Sequence, residues 1–234
     1  MGDFQISTKV GYFASPQGSE HSLAPSRLLQ AVAQIRTELG RAPDVVLLHN
    51  PEHSLNPLGD AAATTALEQA MAALAAATAN GDCRSWGVSS WNPHHLLRAV
   101  RGETSRDLNP SVLMVQAGLL VNAQRMSAAE ALAERFSVPL SGRWGMSPFG
   151  GSDPARVFAG VNCRTFLSAG QHATLAQAAF RVAFHLPGVR WVAVGTDDVS
   201  HLEELVASQA LHVDEDQIAR YRKLLDARAG HKRD

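Results

Sequence analysis

The sequence predicts an α/β fold built on a parallel sheet. Short β-like runs alternate with helix-periodic stretches along the whole chain, and strict strand–helix alternation requires parallel strands joined by helical crossovers. Two of the runs, DVVLLH (44–49) and WVAVG (191–195), are apolar on both faces, as strands covered by helices on both sides are. No linker and no close internal repeat divides the 234 residues, so one domain, 1–234, is expected.

In chain order the strands are read at FQISTKV (4–10), DVVLLH (44–49), RSWGVSS (84–90), SVLMVQAG (111–118), VPLSGRWGM (138–146) and RWVAVG (190–195). The first helix, 26–39, repeats Leu28, Val32, Ile35 and Leu39 at helical spacing, and Gly40 follows as a C-terminal stop. Segment 61–79 is alanine-rich around Leu67, Met71 and Leu74 and ends at Asn80-Gly81. Further helices are read near 92–101, 127–136, 171–186, 199–209 and 214–228. The stretch 147–170, rich in Gly, Ser, Pro and Asn, is the longest loop, either ligand-bearing or a surface segment.

Six such units admit a doubly wound sheet or a (β/α)8 barrel lacking some units. The dinucleotide fingerprint GxGxxG and the phosphate loop GxxxxGK[ST] are both absent, so the common nucleotide-binding open sheets lose support. In a barrel the chemistry sits at the C-terminal ends of the strands, and those ends carry Lys9, His49, Ser89-Ser90, Gln116 and Met146-Ser147. Composition excludes other classes. A net charge of −1 and a pI near 6.8 point away from nucleic acid and anionic membranes. Cys83 and Cys163 lack CxxC spacing and read as free thiols in a reducing compartment. No signal-like N-terminus or long apolar run is present, so a cytoplasmic protein is expected.

The same strand ends resemble those of the aldo-keto reductase family. Ile6-Ser7-Thr8-Lys9-Val10-Gly11 resembles the family's third barrel strand with its lysine, and Asp44 to Glu52 resembles the fourth, ending in its histidine, His49. Gly87-Val88-Ser89-Ser90-Trp91 resembles the fifth, Val115-Gln116 the sixth, and Met146-Ser147-Pro148-Phe149-Gly150-Gly151 the seventh with its pyrophosphate loop. Val192 to Thr196, followed by His201-Leu202-Glu203-Glu204, resembles the eighth strand and the adenosine end of the cofactor site. The implied fold is a partial TIM (β/α)8 barrel of about six β/α units. The family's first two units, which hold its aspartate and tyrosine, have no counterpart here. Two open barrel edges are therefore expected, covered by self-association or by another protein.

The resemblance implies Lys9 and His49 as catalytic positions and Ser89, Ser90, Gln116, Met146, Ser147, Gly150, Gly151, Thr196 and Glu204 as cofactor-binding positions for NAD or NADP. The family's lysine tunes the tyrosine acid, and its histidine orients the carbonyl. The only tyrosines here are Tyr12, three residues after Lys9, and Tyr221, which shares a helical face with Ile218 and Leu225. Tyr12 reads as a loop residue packed on a neighbour, with the role of substitute acid as its sharper alternative. Around the last strand, Gly195, Thr196 and His201 stand where NADP-selective members place lysine, serine or threonine, and arginine, and Leu205 replaces an asparagine. Losing two charge-assisted contacts costs about 1.5–3 kcal/mol each, so weak or absent cofactor binding is expected, with Arg156 or Arg164 as compensating cations. His49-Asn50-Pro51-Glu52-His53 fits HxxEH in form, but Pro51 disfavours the helix that zinc binding needs, so no metal is expected. His94-His95 reads as a surface pair at a helix start.

Two functions follow as expectations. The first is a non-catalytic accessory, gatekeeper or chaperone-like partner in a biosynthetic pathway, with a small-molecule ligand among its expected partners. The second is an NAD(P)H-dependent oxidoreductase acting on a carbonyl or imine group. Fold alone does not choose between them.

Overall fold

The computed structural model describes residues 4–100 and 108–230. Arg101, the last residue of the helix expected at 92–101, lies outside them. By internal contacts the chain forms two compact units, 1–115 with 131–142, and 116–130 with 143–234.

The first unit carries four parallel strands. They are β1 (Ser7–Val10), β4 (Val45–His49), β5 (Trp86–Ser90) and β6 (Val112–Gln116). β1 pairs with β4 from Ser7↔Val45 to Val10↔Leu48, β4 with β5 from Val46↔Trp86 to His49↔Ser89, and β5 with β6 from Gly87↔Val112 to Ser90↔Val115. Spatial order follows chain order. That is the winding of a (β/α)8 barrel, whereas a doubly wound sheet reverses its order at a switch point. Six parallel strands and their helices make the chain a partial α/β barrel, as its sequence predicts. β5 and β6 are buried throughout. β1 reads exposed, intermediate, exposed, buried, and its far edge has no strand partner among the described residues.

Helices of this unit follow their sequence signals. Pro25 opens α1 (Pro25–Leu39), and Gly40, at φ 67°, turns the chain out of it. α3 (Asp60–Ala79) buries Ala63, Leu67, Ala70, Met71, Ala73, Leu74 and Ala77 along one stripe. α4 (Pro93–Ala99) starts at Pro93. Gly87 is required by packing. A Cβ there would lie 2.3 Å from the Val112 carbonyl oxygen and 2.8 Å from a Leu47 methyl.

Two elements of this unit depart from the sequence reading. Between β1 and α1 the chain forms an antiparallel hairpin, β2 (Tyr12–Ser15) and β3 (Gly18–His21), where a loop is expected. Its signal was present in Ser-Pro-Gln-Gly at 15–18, with Pro and Gly where a tight turn wants them. A short helix, α2 (Glu52–Leu55), follows Pro51 directly. Proline breaks a helix it interrupts but is suited to the start of one, and His49 stays outside, on β4.

The second unit pairs β7 (Arg143–Met146) in parallel with β8 (Trp191–Ala193). The expected strand 138–146 is shorter than read, because Leu140–Gly142 forms a 3-10 turn. α5 (Ala123–Arg135) precedes it, starting four residues earlier than expected. The loop 147–170 holds α6 (Pro154–Val157) and a 3-10 turn at Cys163–Phe166. α7 (Leu175–Ala183) begins with a full capping box between Thr174 and Gln177. α8 (Val199–Ala207) and α9 (Glu215–Gly230) complete the unit. Val121, Met126, Val182, Leu186 and Ile218 form one core, with Tyr221 and Leu225 against it, so Tyr221 packs as its spacing implies. Both cysteines are free and buried, and burial pushes both thiols up. No helix among the described residues is long and apolar enough to cross a membrane.

Gly87→Ala is expected to destabilise the chain by about 1–3 kcal/mol or more, because the clash is with backbone that cannot step aside. Urea unfolding reads this directly, and a midpoint equal to the parent's would show that β5 and β6 do not approach this closely.

Candidate active site

Asp44 fixes the start of the arrangement. Its Oδ2 accepts the Ile6 backbone N–H at 2.8 Å, and Arg41 and Arg84 each reach its carboxylate at 3.1 Å. The Ile6 N–H, then Arg84 and Arg41, hold its carboxyl below the usual range against the opposing effect of burial. This pins the chain entering β1 to the start of β4. With that register set, Lys9 and His49 stand at the C-terminal ends of adjacent strands, and the Lys9 charge is felt at His49. Among the described residues no carboxylate lies within ion-pair distance of Lys9.

His49 is partly buried, and its pKa is pushed down to about 4, by burial first and then by Lys9, His21 and His53. Near neutrality it is an uncharged imidazole able to donate one hydrogen bond. Tyr12 lies directly against it. The two ring centroids are 4.9 Å apart at 70°, an edge contact. The same phenol ring meets His21 at 4.8 Å and His53 at 5.7 Å. Tyr12 is therefore packed on neighbours, as expected, but the neighbour is His49, and the residue sits in a strand with 38% of its surface exposed.

The loop after β4 is built around Glu52. This residue is 3% exposed, and its Oε1 accepts from the Trp91 N–H and the Asn92 N–H, both at 2.8 Å, and from the Ser90 hydroxyl at 3.2 Å. It ties the end of β4 to the end of β5. Glu52 Oε2 and Asn50 Oδ1 have no hydrogen-bond partner among the described residues, and Asn50 stands at φ 47°, so this corner holds strain of the kind found beside functional sites. The sequence reading met Glu52 at the end of the fourth-strand match and inside the HxxEH pattern, and gave it no role. The described residues include no cluster of His, Cys, Asp and Glu able to hold a metal. His95 bonds Asn56, and His94 lies beside it.

Among the cofactor candidates, Ser89 and Ser90 are fully buried on β5, and Ser90 spends its proton on Glu52. Gln116 is 7% exposed, and its carboxamide oxygen is held by Arg125 at 3.0 Å. Met146 is buried at the end of β7. Ser147, Gly150 and Gly151 stand at φ 50°, 64° and 78°, making the turn that the resemblance assigns to the pyrophosphate.

The adenosine end is different. Thr196 Oγ1 accepts the Asp198 N–H, Glu204 accepts the Thr174 hydroxyl, and Leu205 is buried. The Asp198 carboxylate caps α8, taking the Ser200 N–H at 2.8 Å and the Ser200 hydroxyl at 2.7 Å, and His201 lies 3.9 Å from it. Ser200 and His201 hold its carboxyl below the usual range. A helix start already closed by a carboxylate repels a phosphate and accepts hydroxyls. Arg164 is bonded to the Ala173 carbonyl. Asp198 thus offers a carboxylate, and no cation, at the helix start where the resemblance puts the adenosine end of the cofactor site.

The sequence profile of the aldo/keto reductase family matches residues 2–146, more than half of the chain. No curated protein sequence matches at a comparable level. Solved structures with the same fold include an aldo-keto reductase of Pseudomonas aeruginosa at 22% identity and TM-score 0.59, covering 88% of this chain and 66% of its own. They also include the holo form of an aldo-keto reductase from Bacillus halodurans, at 16% identity and TM-score 0.67, with 95% and 73% covered. An aldo/keto reductase from Brucella melitensis shows 16% identity and TM-score 0.62, with 95% and 74% covered. This chain thus spans about two thirds to three quarters of the length of those proteins. From its matching profile and its partial α/β barrel, the chain belongs to the aldo/keto reductase family.

Proposed function

We propose that this chain is an oxidoreductase that reduces a carbonyl or imine group, with Tyr12 as proton donor and Lys9 and His49 beside it. One observation carries the reading: the Tyr12 ring rests on His49 at 4.9 Å, at the strand end shared with Lys9. Addition of hydride to a carbonyl carbon leaves a developing alkoxide, and a positioned acid that protonates it contributes about 10²–10⁴-fold. A phenol carries its proton near neutrality and is also a hydrogen-bond donor. His49, held neutral, directs an N–H at the substrate oxygen and does not compete as an acid. The Lys9 ammonium stabilises negative charge as the proton leaves Tyr12. A nicotinamide dinucleotide, when bound, supplies the hydride.

A second reading, an accessory barrel without turnover, is favoured by the adenosine end, where Thr196, Glu204 and Asp198 are bonded within the chain. Turnover decides between the two. The parent protein is expected to oxidise NADH in the presence of aldehydes, ketones or cyclic imines. Tyr12→Phe is expected to lower kcat by about 10²–10⁴-fold, and Lys9→Met and His49→Ala to lower it as well. An inactive parent protein supports the accessory reading. An active parent whose rate survives Tyr12→Phe removes Tyr12 from the role.

NADPH is expected to bind more weakly than NADH, because the Asp198 carboxylate closes the helix start to which the resemblance assigns the adenosine end. Asp198→Ser keeps a capping oxygen and removes the charge, so calorimetry should show the NADPH deficit shrinking in this variant. Tighter binding of NADPH by the parent protein would contradict the assignment.

Stability should also depend on His49. Its folded pKa of about 4 lies below the ordinary 6.5. As pH falls below 6.5 the unfolded chain binds this proton first, so the folded state loses stability down to about pH 4. Below that the His49 contribution to the slope disappears. His49→Gln should flatten this part of the pH–stability curve in urea titrations, and an unchanged slope would show that the imidazole is not buried as described.

A further inference from the structure

The hairpin that carries Tyr12 is an exposed two-stranded ribbon, and such ribbons are marginal by themselves. Arg27 of α1 holds its outer part, pairing with Glu20 at 2.6 Å and lying 4.2 Å over the Phe13 ring, and His21 holds its base, where Tyr12 lies. His21 is the last residue of β3 and stands opposite Tyr12 in the hairpin register. Its Nε2 lies 2.8 Å from the His49 carbonyl oxygen, and its Nδ1 lies 2.6 Å from Ser54 Oγ. A carbonyl only accepts, so the ring proton belongs on Nε2, and Nδ1 then accepts from the Ser54 hydroxyl. One imidazole thereby ties the hairpin to β4 through the backbone of His49 and to α2 through Ser54.

The base of the hairpin is built for this approach. The Ser22 N–H donates to the Gly11 carbonyl at 2.8 Å, closing the ribbon. Gly11 adopts φ 130°, and a Cβ there would lie 3.2 Å from His21 Nε2 and 3.3 Å from the His49 carbonyl oxygen. A residue with a side chain would enter the space of the His21–His49 bond. The His21 ring itself forms one wall of the Tyr12 environment, edge-on at 4.8 Å.

We propose that His21 is the positioning residue for Tyr12, latching the β2–β3 hairpin through its two ring bonds so that the phenol stays on His49. This rests on the reading of Tyr12 as proton donor. It assigns His21 no contact with the reacting atoms, and misplacement of a reacting group by about 1 Å can cost on the order of 10²-fold in rate.

The test separates latch from chemistry. In protein labelled at tyrosine and histidine side chains, ring-to-ring NOEs report the Tyr12–His49 contact without cofactor or substrate, and the His21 nitrogen shifts report its tautomer. The parent protein is expected to show the contact and a proton on Nε2. His21→Ala should abolish the NOEs and lower kcat by about tenfold or more with little change in KM. His21→Gln, whose amide can donate to the His49 carbonyl and accept from Ser54, should restore the NOEs and most of the rate. Ser54→Ala removes the hydroxyl that lies 2.6 Å from Nδ1 and 3.4 Å from the His21 carbonyl oxygen, leaves the Nε2 bond in place, and should weaken the NOEs partially. Persistence of the Tyr12–His49 contact in His21→Ala, or an Nδ1–H tautomer in the parent, overturns the proposal. Loss of the contact in a protein that never turned over would uphold the latch while the catalytic reading fails. Should His21→Ala not fold, Gln and Ser54→Ala decide, since NOEs undiminished in Ser54→Ala and absent in Gln contradict a two-bond latch.

Discussion

Everything at the candidate site depends on β1 lying parallel to β4 in one register, Ser7↔Val45 to Val10↔Leu48. A slip of one residue would turn Lys9 to the opposite face of the sheet. The register is not left to β1, which is only four residues long and exposed on half its positions. Asp44, accepting from the Ile6 N–H and pulled by two arginines, sets where the strand begins. Burial of Val46, Leu47 and Leu48 then makes β4 the fixed member of the pair. The site is thus rigid on the β4 side and held by polar contacts on the β1 side.

Around His49 the bases outnumber the acids. Lys9, His21 and His53 all depress its protonation, and the nearby carboxylate, Glu52, is occupied with the loop after β5. An imidazole kept neutral by burial first and by the Lys9 charge next donates a hydrogen bond without giving up its proton, the property a carbonyl-orienting group needs. In the proposed mechanism the Tyr12 phenol against it supplies the acid that the imidazole does not. The division of labour follows from two environments: burial and charge for His49, partial exposure for Tyr12.

The strands that hold the site were legible because parallel, buried strands read as apolar runs, and DVVLLH could be little else. Lys9 and His49 were legible because polar residues at the ends of such runs stand out. The hairpin was marked only at its turn, Ser15 to Gly18. Its strands are short and polar, and the period-2 signal needs an apolar face that 12–21 does not have. For the same reason His21 carried no mark in the sequence, since its importance comes from a backbone carbonyl twenty-eight positions away. Glu52 was hidden inside a pattern suggestive of zinc, and only the fold shows its oxygen turned to two backbone N–H groups of the next strand's loop. At the other end, the replacements Gly195, His201 and Leu205 were visible as departures from the family. The closure of α8 by Asp198 was not, because a capping aspartate is a common helix start whatever lies beyond it.

The proposed activity is transfer of hydride from a nicotinamide cofactor to a substrate carbonyl on this chain. The most direct measurement uses NADH deuterated at both C4 positions, with 4-nitrobenzaldehyde as probe, and mass spectrometry of the alcohol formed. The account predicts an alcohol carrying a single deuterium, in proportion to the NAD produced and strongly reduced in Tyr12→Phe. Unlabelled alcohol, or no alcohol above a control without protein, would contradict it.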